Sequence, residues 1–346
     1  IEDAPDIIDG LHARNQTSFQ SALDNVRNMV GSPLAGIDDQ EMIDTRPYCN
    51  ALNDLVSLDP VTNTRGNPKW GNLPRKFNFA VSGSRDDFAH THINDIGFQA
   101  CEHAKTGEMG FNVVVGGFMS IKRVAEAIPL MWIPADLNSV ITVSEAILRI
   151  FRDESERKDR QKARVMYLVE KYGGASEFKA AIENEVESYG RDVSIEEYQK
   201  GPTGDFTRRE LLGVHDQPNG KKRVGVLVPV GRMSRRECRE IADIADKYSG
   251  GEIRLTVEQN IILPNVDPDK VDDLLNEDCF GSGKRLKVNA GLIESNVVSC
   301  TGAEFCGLAL VETKANAAAM GPKLEKLVAV DRPIRIHWTG CPNSCG

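Results

Sequence analysis

Four of the eight cysteines in this sequence form two closely spaced pairs. The first pair bounds CTGAEFC (300–306), and the second bounds CPNSC (341–345). Between them lie a helix-like stretch, 307–320, and a strand-like stretch, 333–338, which together could form one crossover. Four thiols on two short loops are what an inorganic centre with four thiolate ligands requires. The small and turn-forming neighbours of these cysteines would let backbone N–H groups turn toward sulfur.

Three kinds of site compete for this cysteine pattern. Structural zinc sites usually separate paired cysteines by two to four residues, so the five residues between Cys300 and Cys306 count against zinc. Two disulfide bonds would suit a small secreted domain, and this composition does not describe one. The spacing therefore favours an iron–sulfur cluster over zinc. The other four cysteines are scattered and are predicted to be small buried side chains: Cys49, Cys101, Cys238 and Cys279.

Length and composition indicate an ordinary globular protein of two or three domains. The chain has 346 residues, of which 40% are hydrophobic and 27% charged. We expect no membrane span, because no apolar stretch approaches the roughly 18–20 residues that a span needs. The net charge of −9 argues against nucleic acid as a partner. Because the chain starts at Ile1 and stops just after the second cysteine pair, we expect an internal part of a longer polypeptide.

The first half of the chain mixes strand and helix patterns. Residues 75–83 alternate as a strand, and 110–117 form a short apolar run closed by paired glycines. Residues 139–174 have apolar positions at helical spacing and predict two helices that end at Gly173 and Gly174. The polar, acidic stretch 176–212 shows no strong period and is interpreted as a linker with one helix.

The second half predicts a compact βαβ-like unit. Residues 222–231 form a strand pattern, 234–251 a helix pattern and 252–266 a second strand pattern. Ser234 and Glu237 have the spacing of a capping box at the start of that helix.

The sequence resembles the ferredoxin-dependent assimilatory nitrite reductases, which belong to the siroheme-containing nitrite and sulfite reductase family. The cysteine motifs within 295–315 and 336–346 look like the cofactor signature of that family. The likeness covers essentially the whole chain. Further similar blocks follow in the same order: 17–38, 44–50, 72–84, 92–98, 110–120, 127–136, 228–233 and 251–265.

The resemblance implies a mixed α/β (α+β) fold, truncated at both ends. A first siroheme-type repeat would occupy 1–178, a linker 179–214 and a ferredoxin-like half-domain 215–285. The start of a second repeat would occupy 286–346.

The resemblance also implies the cofactors. Four cysteines would hold a [4Fe-4S] cluster, and the last of them would also be the axial ligand of siroheme, joining the two centres through one sulfur. These residues are Cys300, Cys306, Cys341 and Cys345.

By the same resemblance, Arg27, Lys76 and Asn78 would project over the open face of siroheme, where nitrite binds. The sulfite branch typically has a second lysine where this chain has Asn78, so the neutral side chain favours nitrite. Arg75, on the opposite face of the strand, would pair with a siroheme carboxylate. Without the resemblance, basic residues on a strand are mostly solvated surface.

A functional and an ordinary interpretation are both open for Gln259, for Asn260 and for the basic run 152–164. Gln259 and Asn260 could line the cofactor crevice or could make hydrogen bonds within a turn. The basic run 152–164 is interpreted first as a solvated helix face and second as a siroheme carboxylate contact.

The function implied by the resemblance is six-electron reduction of nitrite to ammonia, with reduced ferredoxin as the electron donor. No G-x-G-x-x-G opens a helix after a strand, so electrons should arrive from another protein. Lys314, Lys323 and Lys326 are a hypothetical docking patch for that acidic donor. The enzyme is expected to be a monomer in the plastid stroma, or in the cytoplasm of a cyanobacterium. The alternatives are a ferredoxin-dependent sulfite reductase and a non-catalytic iron–sulfur or zinc module.

Overall fold

The computed structural model describes residues 2–201, 206, 208–281 and 283–346, which form three successive units. Each unit is a β-sheet with its own helices, so the mixed α/β prediction is confirmed. Within the described residues, no helix combines the length and apolar composition that a membrane crossing needs.

The first unit is built on a five-stranded sheet with the order β1-β2-β3-β4-β7. Strands β1, β2 and β3 run parallel, and β4 and β7 continue the sheet antiparallel. The predicted strands at 75–83 and 110–117 are confirmed as β2 and β4. The strand bounds are β1 Val26–Gly31, β2 Phe77–Ser82, β3 Ile96–Glu102, β4 Met109–Val115, β5 Phe118–Met119, β6 Val124–Ala125 and β7 Ile128–Pro134.

Helices cover one face of this sheet. Alternate side chains of β2, at Phe77, Phe79 and Val81, are fully buried in the same apolar cluster as helix residues, because strand side chains alternate between faces. The two helices predicted within 139–174 are present, and the second ends at Gly173 with a φ of 105°. The helix bounds are α1 Ala4–His12, α2 Arg46–Ser57, α3 Leu137–Glu154, α4 Val165–Tyr172 and α5 Ala175–Ser188.

Helix α5 runs across the predicted domain boundary at residue 178. Its residues Phe178, Ile182 and Val186 lie in the core of the first unit. Further on, Glu196 makes paired backbone hydrogen bonds with Trp132 of β7, at 2.9 and 3.0 Å. Residues up to this point therefore pack on the first unit, although they were predicted to be linker.

The second unit is a four-stranded sheet with the order β10-β11-β9-β8. Its helix α6 has the predicted capping box: Ser234 Oγ accepts from Glu237 N at 3.2 Å, and Glu237 Oε2 accepts from Ser234 N at 2.6 Å. The bounds are β8 Gly213–Asp216, β9 Lys222–Val226, α6 Arg235–Tyr248, β10 Arg254–Leu255, β11 Ile261–Val266 and α7 Val271–Leu275.

The predicted βαβ pairing is wrong in one respect. The stretch 252–266 is a hairpin, and its second arm β11 pairs antiparallel with both β10 and β9. The chain reverses at Gln259, whose φ is 65°, and Thr256 N donates to Asn260 O at 2.9 Å across the turn. The sequence contains no glycine at this reversal, so the turn was not visible in the pattern.

The third unit consists of β12 Val297–Ser299, α8 Lys314–Leu327 and β13 Ile336–Trp338. The helix begins at Lys314, whereas the sequence predicted a helix over 307–320. The earlier residues form a loop: Leu310 N donates to Gly340 O at 2.8 Å, and Ala303 N donates to Val311 O at 3.2 Å.

Candidate functional site

The two cysteine loops lie at the same end of the third unit. Strands β12 and β13 are adjacent and parallel, with Val297 opposite Ile336 and Ser299 opposite Trp338. Each cysteine pair follows the carboxyl end of one of these strands, and parallel strands place those ends at the same edge. Cys300 N also donates to Trp338 O at 3.0 Å. The predicted crossover is therefore present.

The thiol of Cys300 lies among hydrogen-bond donors. Gly340 N donates to Cys300 Sγ at 3.2 Å, and Thr313 Oγ1 lies 3.7 Å from the same sulfur. Burial opposes ionisation of this thiol, but the N–H of Gly340 and the Thr313 hydroxyl help outweigh it, so that the pKa of Cys300 is lowered. A lowered pKa favours the thiolate that binds iron.

Two glycines allow the loops to pack this closely. Gly302 has a φ of 76°, and a Cβ there would lie 2.5 Å from Thr313 Oγ1. A Cβ at Gly340 would lie 2.9 Å from Val311 O. A larger residue at Gly302 would distort the first loop, and one at Gly340 would push the two loops apart.

The pKa of Cys345 is affected both by Lys76 and by the other three thiols of the paired cysteines. Burial raises the pKa of Cys345, Lys76 lowers it, and the other three thiols raise it further: Cys341, Cys300 and Cys306. The pKa of this thiol, in the third unit, therefore responds to a charge of the first unit. Among the described His, Cys, Asp and Glu residues, no three are grouped to hold a single metal ion. A [4Fe-4S] cluster instead bonds each thiolate to a different iron, and this donor set has the four cysteines that it needs.

Lys76 lies in a half-buried, positively charged environment. Burial lowers the pKa of Lys76, and the guanidinium groups of Arg164, Arg27 and Arg75 lower it further, while Asp95 opposes them. Arg27 thus acts on the pKa of Lys76, and the role of the two side chains over siroheme stays a prediction.

Arg27 occupies an irregular position in the sheet. The register between β1 and β2 shifts between Val26 and Asn28, so Arg27 is the extra residue of a β-bulge. Its guanidinium donates to Leu23 O at 3.0 and 2.7 Å. Bulges re-aim a side chain beside a site, which a regular strand cannot do.

Asn78 is anchored through its backbone. Its N–H donates to Asp95 Oδ2 at 3.0 Å, and the same carboxylate accepts from Arg164 Nη2 at 2.9 Å and from Nε at 3.1 Å. Asp95 is fully buried and Arg164 is 6% exposed. Burial raises the pKa of Asp95, against the lowering effects of Arg164 and of the Asn78 N–H.

Sequence reasoning missed Arg164 and Asp95. The basic run 152–164 was predicted to be first a solvated helix face. Most of it is exposed, but the helix prediction is wrong because α3 ends at Glu154 and the remainder is irregular, with Arg164 buried. Nothing in a uniformly polar run distinguishes the one arginine that becomes buried.

Arg75 lies beside Asp24. Its Nη1 is 3.6 Å from Asp24 Oδ1, and Arg160 Nη2 donates to the same oxygen at 3.0 Å. Its contact with a siroheme carboxylate stays a prediction.

Gln259 and Asn260 both bond to backbone outside their own turn, so hydrogen bonding within the turn does not describe these two side chains. Gln259 Nε2 donates to Ser299 O at 2.8 Å, and Gln259 Oε1 accepts from Ser299 N at 3.2 Å. Asn260 is buried, and its Oδ1 accepts from Val228 N at 3.0 Å. Gln259 therefore holds the residue directly before Cys300, while contact of either side chain with a cofactor stays a prediction.

Two sequence expectations about surface and burial need correction. Lys314 was predicted to be part of a docking patch, but its Nζ points inward and donates to Val230 O and, at 3.2 Å, to Ser299 O. Lys323 and Lys326 are exposed. Cys238 was predicted to be buried and is exposed on α6.

Two family models match the chain. The nitrite and sulphite reductase 4Fe-4S domain matches residues 22–189, and the nitrite/sulfite reductase ferredoxin-like half domain matches residues 215–277. Neither range includes the paired cysteines, so the assignment of these thiols rests on the geometry above and on relatives that align over the whole chain.

Those relatives agree with the family models. The chain is 47% identical to the chloroplastic ferredoxin–nitrite reductase of Spinacia oleracea and 44% identical to the ferredoxin–nitrite reductase of Synechococcus elongatus. Both alignments cover 100% of this chain, but 56% and 65% of the relatives. The solved structure of the Mycobacterium tuberculosis NirA protein matches with a TM-score of 0.84 at 29% identity, covering 99% of this chain and 60% of that one.

This chain belongs to the nitrite and sulphite reductase family. The family uses siroheme and a [4Fe-4S] cluster.

Proposed function

We propose that this chain is part of an enzyme that reduces nitrite to ammonia with electrons from reduced ferredoxin. Nitrogen passes from oxidation state +3 to −3, so each nitrite consumes six electrons and eight protons and yields two waters and ammonia in its protonated form, ammonium. The relatives named as ferredoxin–nitrite reductases support the choice of donor and substrate. The observation that carries the proposal is the meeting of the two cysteine loops, where parallel strands end side by side and Gly340 N donates to Cys300 Sγ at 3.2 Å.

The four cysteines would hold the cluster, and Cys345 would also bind the siroheme iron. When bound, the paired centres supply a binding site for nitrite and a route for single electrons. The lowered pKa of Cys300 and the N–H donated by Gly340 support this role for the first loop.

Arg27 and Lys76 would bind the anion and stabilise negative charge on its oxygens. Positive groups in a half-buried site act more strongly than in water, because the surrounding dielectric is lower. The lowered pKa of Lys76 also makes its ammonium a better proton donor to an oxygen that leaves as water. Asn78 would offer a neutral amide beside them, which suits a monoanion.

The same relatives support a proposal for the setting of the enzyme. Plant relatives are named as chloroplastic, and Synechococcus elongatus has one as well, which supports the plastid stroma with cyanobacterial cytoplasm as the alternative. We propose a monomer that takes electrons from ferredoxin and binds neither nucleic acid nor membrane.

The test is a cofactor analysis and an assay of the complete enzyme. Iron, acid-labile sulfide and siroheme should be present, and reduced ferredoxin should support nitrite reduction with a higher kcat/KM than sulfite reduction. Zinc without pigment would favour a non-catalytic module. A preference for sulfite would favour the sulfite reductase alternative, which the family description also covers.

A further inference from the structure

Ser299, the residue directly before Cys300, is held from two sides. The amide of Gln259 bonds to both its N–H and its carbonyl, and the ammonium of Lys314 donates to the same carbonyl. Lys314 also donates to Val230 O, in the second unit. The backbone that presents the first thiol is therefore fixed by side chains from outside its own loop.

The location of Lys314 is costly for the fold. It is the first residue of α8, and a cation at a helix N-terminus is opposed by the helix dipole. Its half-buried ammonium also loses hydration: burial lowers the pKa of Lys314, and Arg232 lowers it further, while Cys300 raises it. A leucine or glutamine would avoid both costs, so the positive charge calls for a separate explanation.

We propose that Lys314 is a positioning residue whose charge raises the reduction potential of the cluster held by Cys300. The inference rests on the proposed function, since it requires a cluster on these thiols. One electron from the donor makes the cluster more negative by one charge, and a nearby cation stabilises the reduced state more than the oxidised state. Electron transfer from the donor protein into the cluster is thereby favoured.

The test compares three variants of the complete holoenzyme. Lys314→Gln removes the charge but keeps a hydrogen-bond donor, and Gln259 still holds Ser299, so the loop should stay in place. Lys314→Arg keeps the charge. Lys323→Gln removes an exposed charge from the same helix and serves as the matched control. The midpoint potential of the cluster is measured by a redox titration with spectroscopic detection, beside iron and sulfide content.

We expect a lower midpoint potential for Lys314→Gln, a potential near that of the wild type for Lys314→Arg, and no shift for Lys323→Gln. An unshifted potential in Lys314→Gln would overturn the inference. Equal loss of the cluster from the Gln and Arg variants would also overturn it, because shape and not charge would then be required. A wild-type enzyme without iron and sulfide would instead overturn the proposed function, which keeps the two failures distinct.

Discussion

Asn78 makes its structural contact through the backbone, which leaves its side chain available for the site. Its backbone N–H bonds to the buried Asp95, while its side chain is not needed for that bond. Lys76 directly precedes β2 and Asn78 is the second residue of that strand, so strand alternation predicts that the amide of Asn78 shares the side of Lys76. A substitution at Asn78 therefore changes the charge at the site and leaves the strand anchored.

Asn78→Lys in the complete enzyme should shift preference from nitrite toward sulfite. A second ammonium beside Lys76 should favour an anion with more charge and more oxygens. We expect the ratio of kcat/KM for nitrite to that for sulfite to fall by about tenfold, equivalent to about 1.4 kcal/mol. Steady-state assays with both anions measure this ratio.

The exposed Asn72 offers the control, because Asn72→Lys adds the same charge outside the strand. An unchanged ratio in Asn78→Lys would contradict the assigned role.

Individual residues differed in how far sequence could place them. The paired cysteines are close in sequence, so their spacing was informative. Arg164 and Lys314 each lie in polar stretches of sequence. Arg164 becomes buried, and Lys314 half-buried, only through partners remote in the chain, Asp95 and Val230. Short-range sequence patterns do not reveal contacts between residues that are far apart in the chain.

At the level of elements, one buried ion pair holds several segments together. Arg164 precedes α4, Asp95 precedes β3, and the shared carboxylate also accepts from β2 at Asn78. Arg160, in the same irregular segment, pairs with Asp24 at the surface instead. The two arginines provide a direct comparison of buried and exposed pairing.

Arg164→Met should destabilise the first unit strongly. Removal of one partner leaves Asp95 buried without its counter-charge, which typically costs about 3–5 kcal/mol. Arg160→Met removes an exposed pair that solvent already screens, and its effect on stability should be much smaller. Urea unfolding followed by fluorescence of the core residues Trp70 and Trp132 measures both. Equal effects of the two substitutions would mean that Asp95 does not need Arg164.

The elements that sequence predicted well have regular patterns. Alternation defined β2, and helical spacing with a glycine stop defined α3 and α4. The hairpin at Gln259 and the start of α8 at Lys314 were missed because non-glycine residues make the turn and a hydrogen-bonded loop precedes the helix.

At the level of the whole molecule, the first two units meet through an ion-pair cluster and an apolar contact. Arg209 donates to Asp38 at 2.7 Å and to Asp86 at 2.5 Å. Leu211 and Ile262 share a buried cluster with residues of the first unit. The sequence did not predict this interface, because the residues that form it come from separate parts of the chain.

The stability of the chain should depend on pH through Glu41, whose pKa is influenced by Asp38 of this interface. Burial raises the pKa of Glu41 to about 7 from 4.5, against the effect of the N–H that Gly36 donates at 2.8 Å. The folded state thus holds a proton that the unfolded chain releases above about pH 4.5. The contribution of Glu41 to stability is present below this pH and is lost as pH rises toward 7.

Glu41→Gln should therefore reduce the loss of stability between about pH 5 and pH 8, because the amide does not titrate. Thermal unfolding at both pH values measures the difference. Glu108→Gln, at an exposed position, is the control. Glu41 would not be responsible if the pH dependence stayed the same in the variant.

The connection between the first two units limits domain swapping between two molecules of this chain. Gln199 N donates to Asn112 Oδ1 at 2.9 Å, and Arg208 Nε donates to Asp86 O at 3.2 Å, so both ends of the intervening chain are tied to the first unit. Whatever path that chain takes, it reaches at most roughly 30 Å, at about 3.3–3.6 Å per residue. In a domain-swapped dimer that keeps both hydrogen bonds, Gln199 would bond to the first unit of its own molecule and Arg208 to the first unit of the other molecule. The two bonding sites would then have to lie within this reach, and otherwise one of the two bonds would have to break.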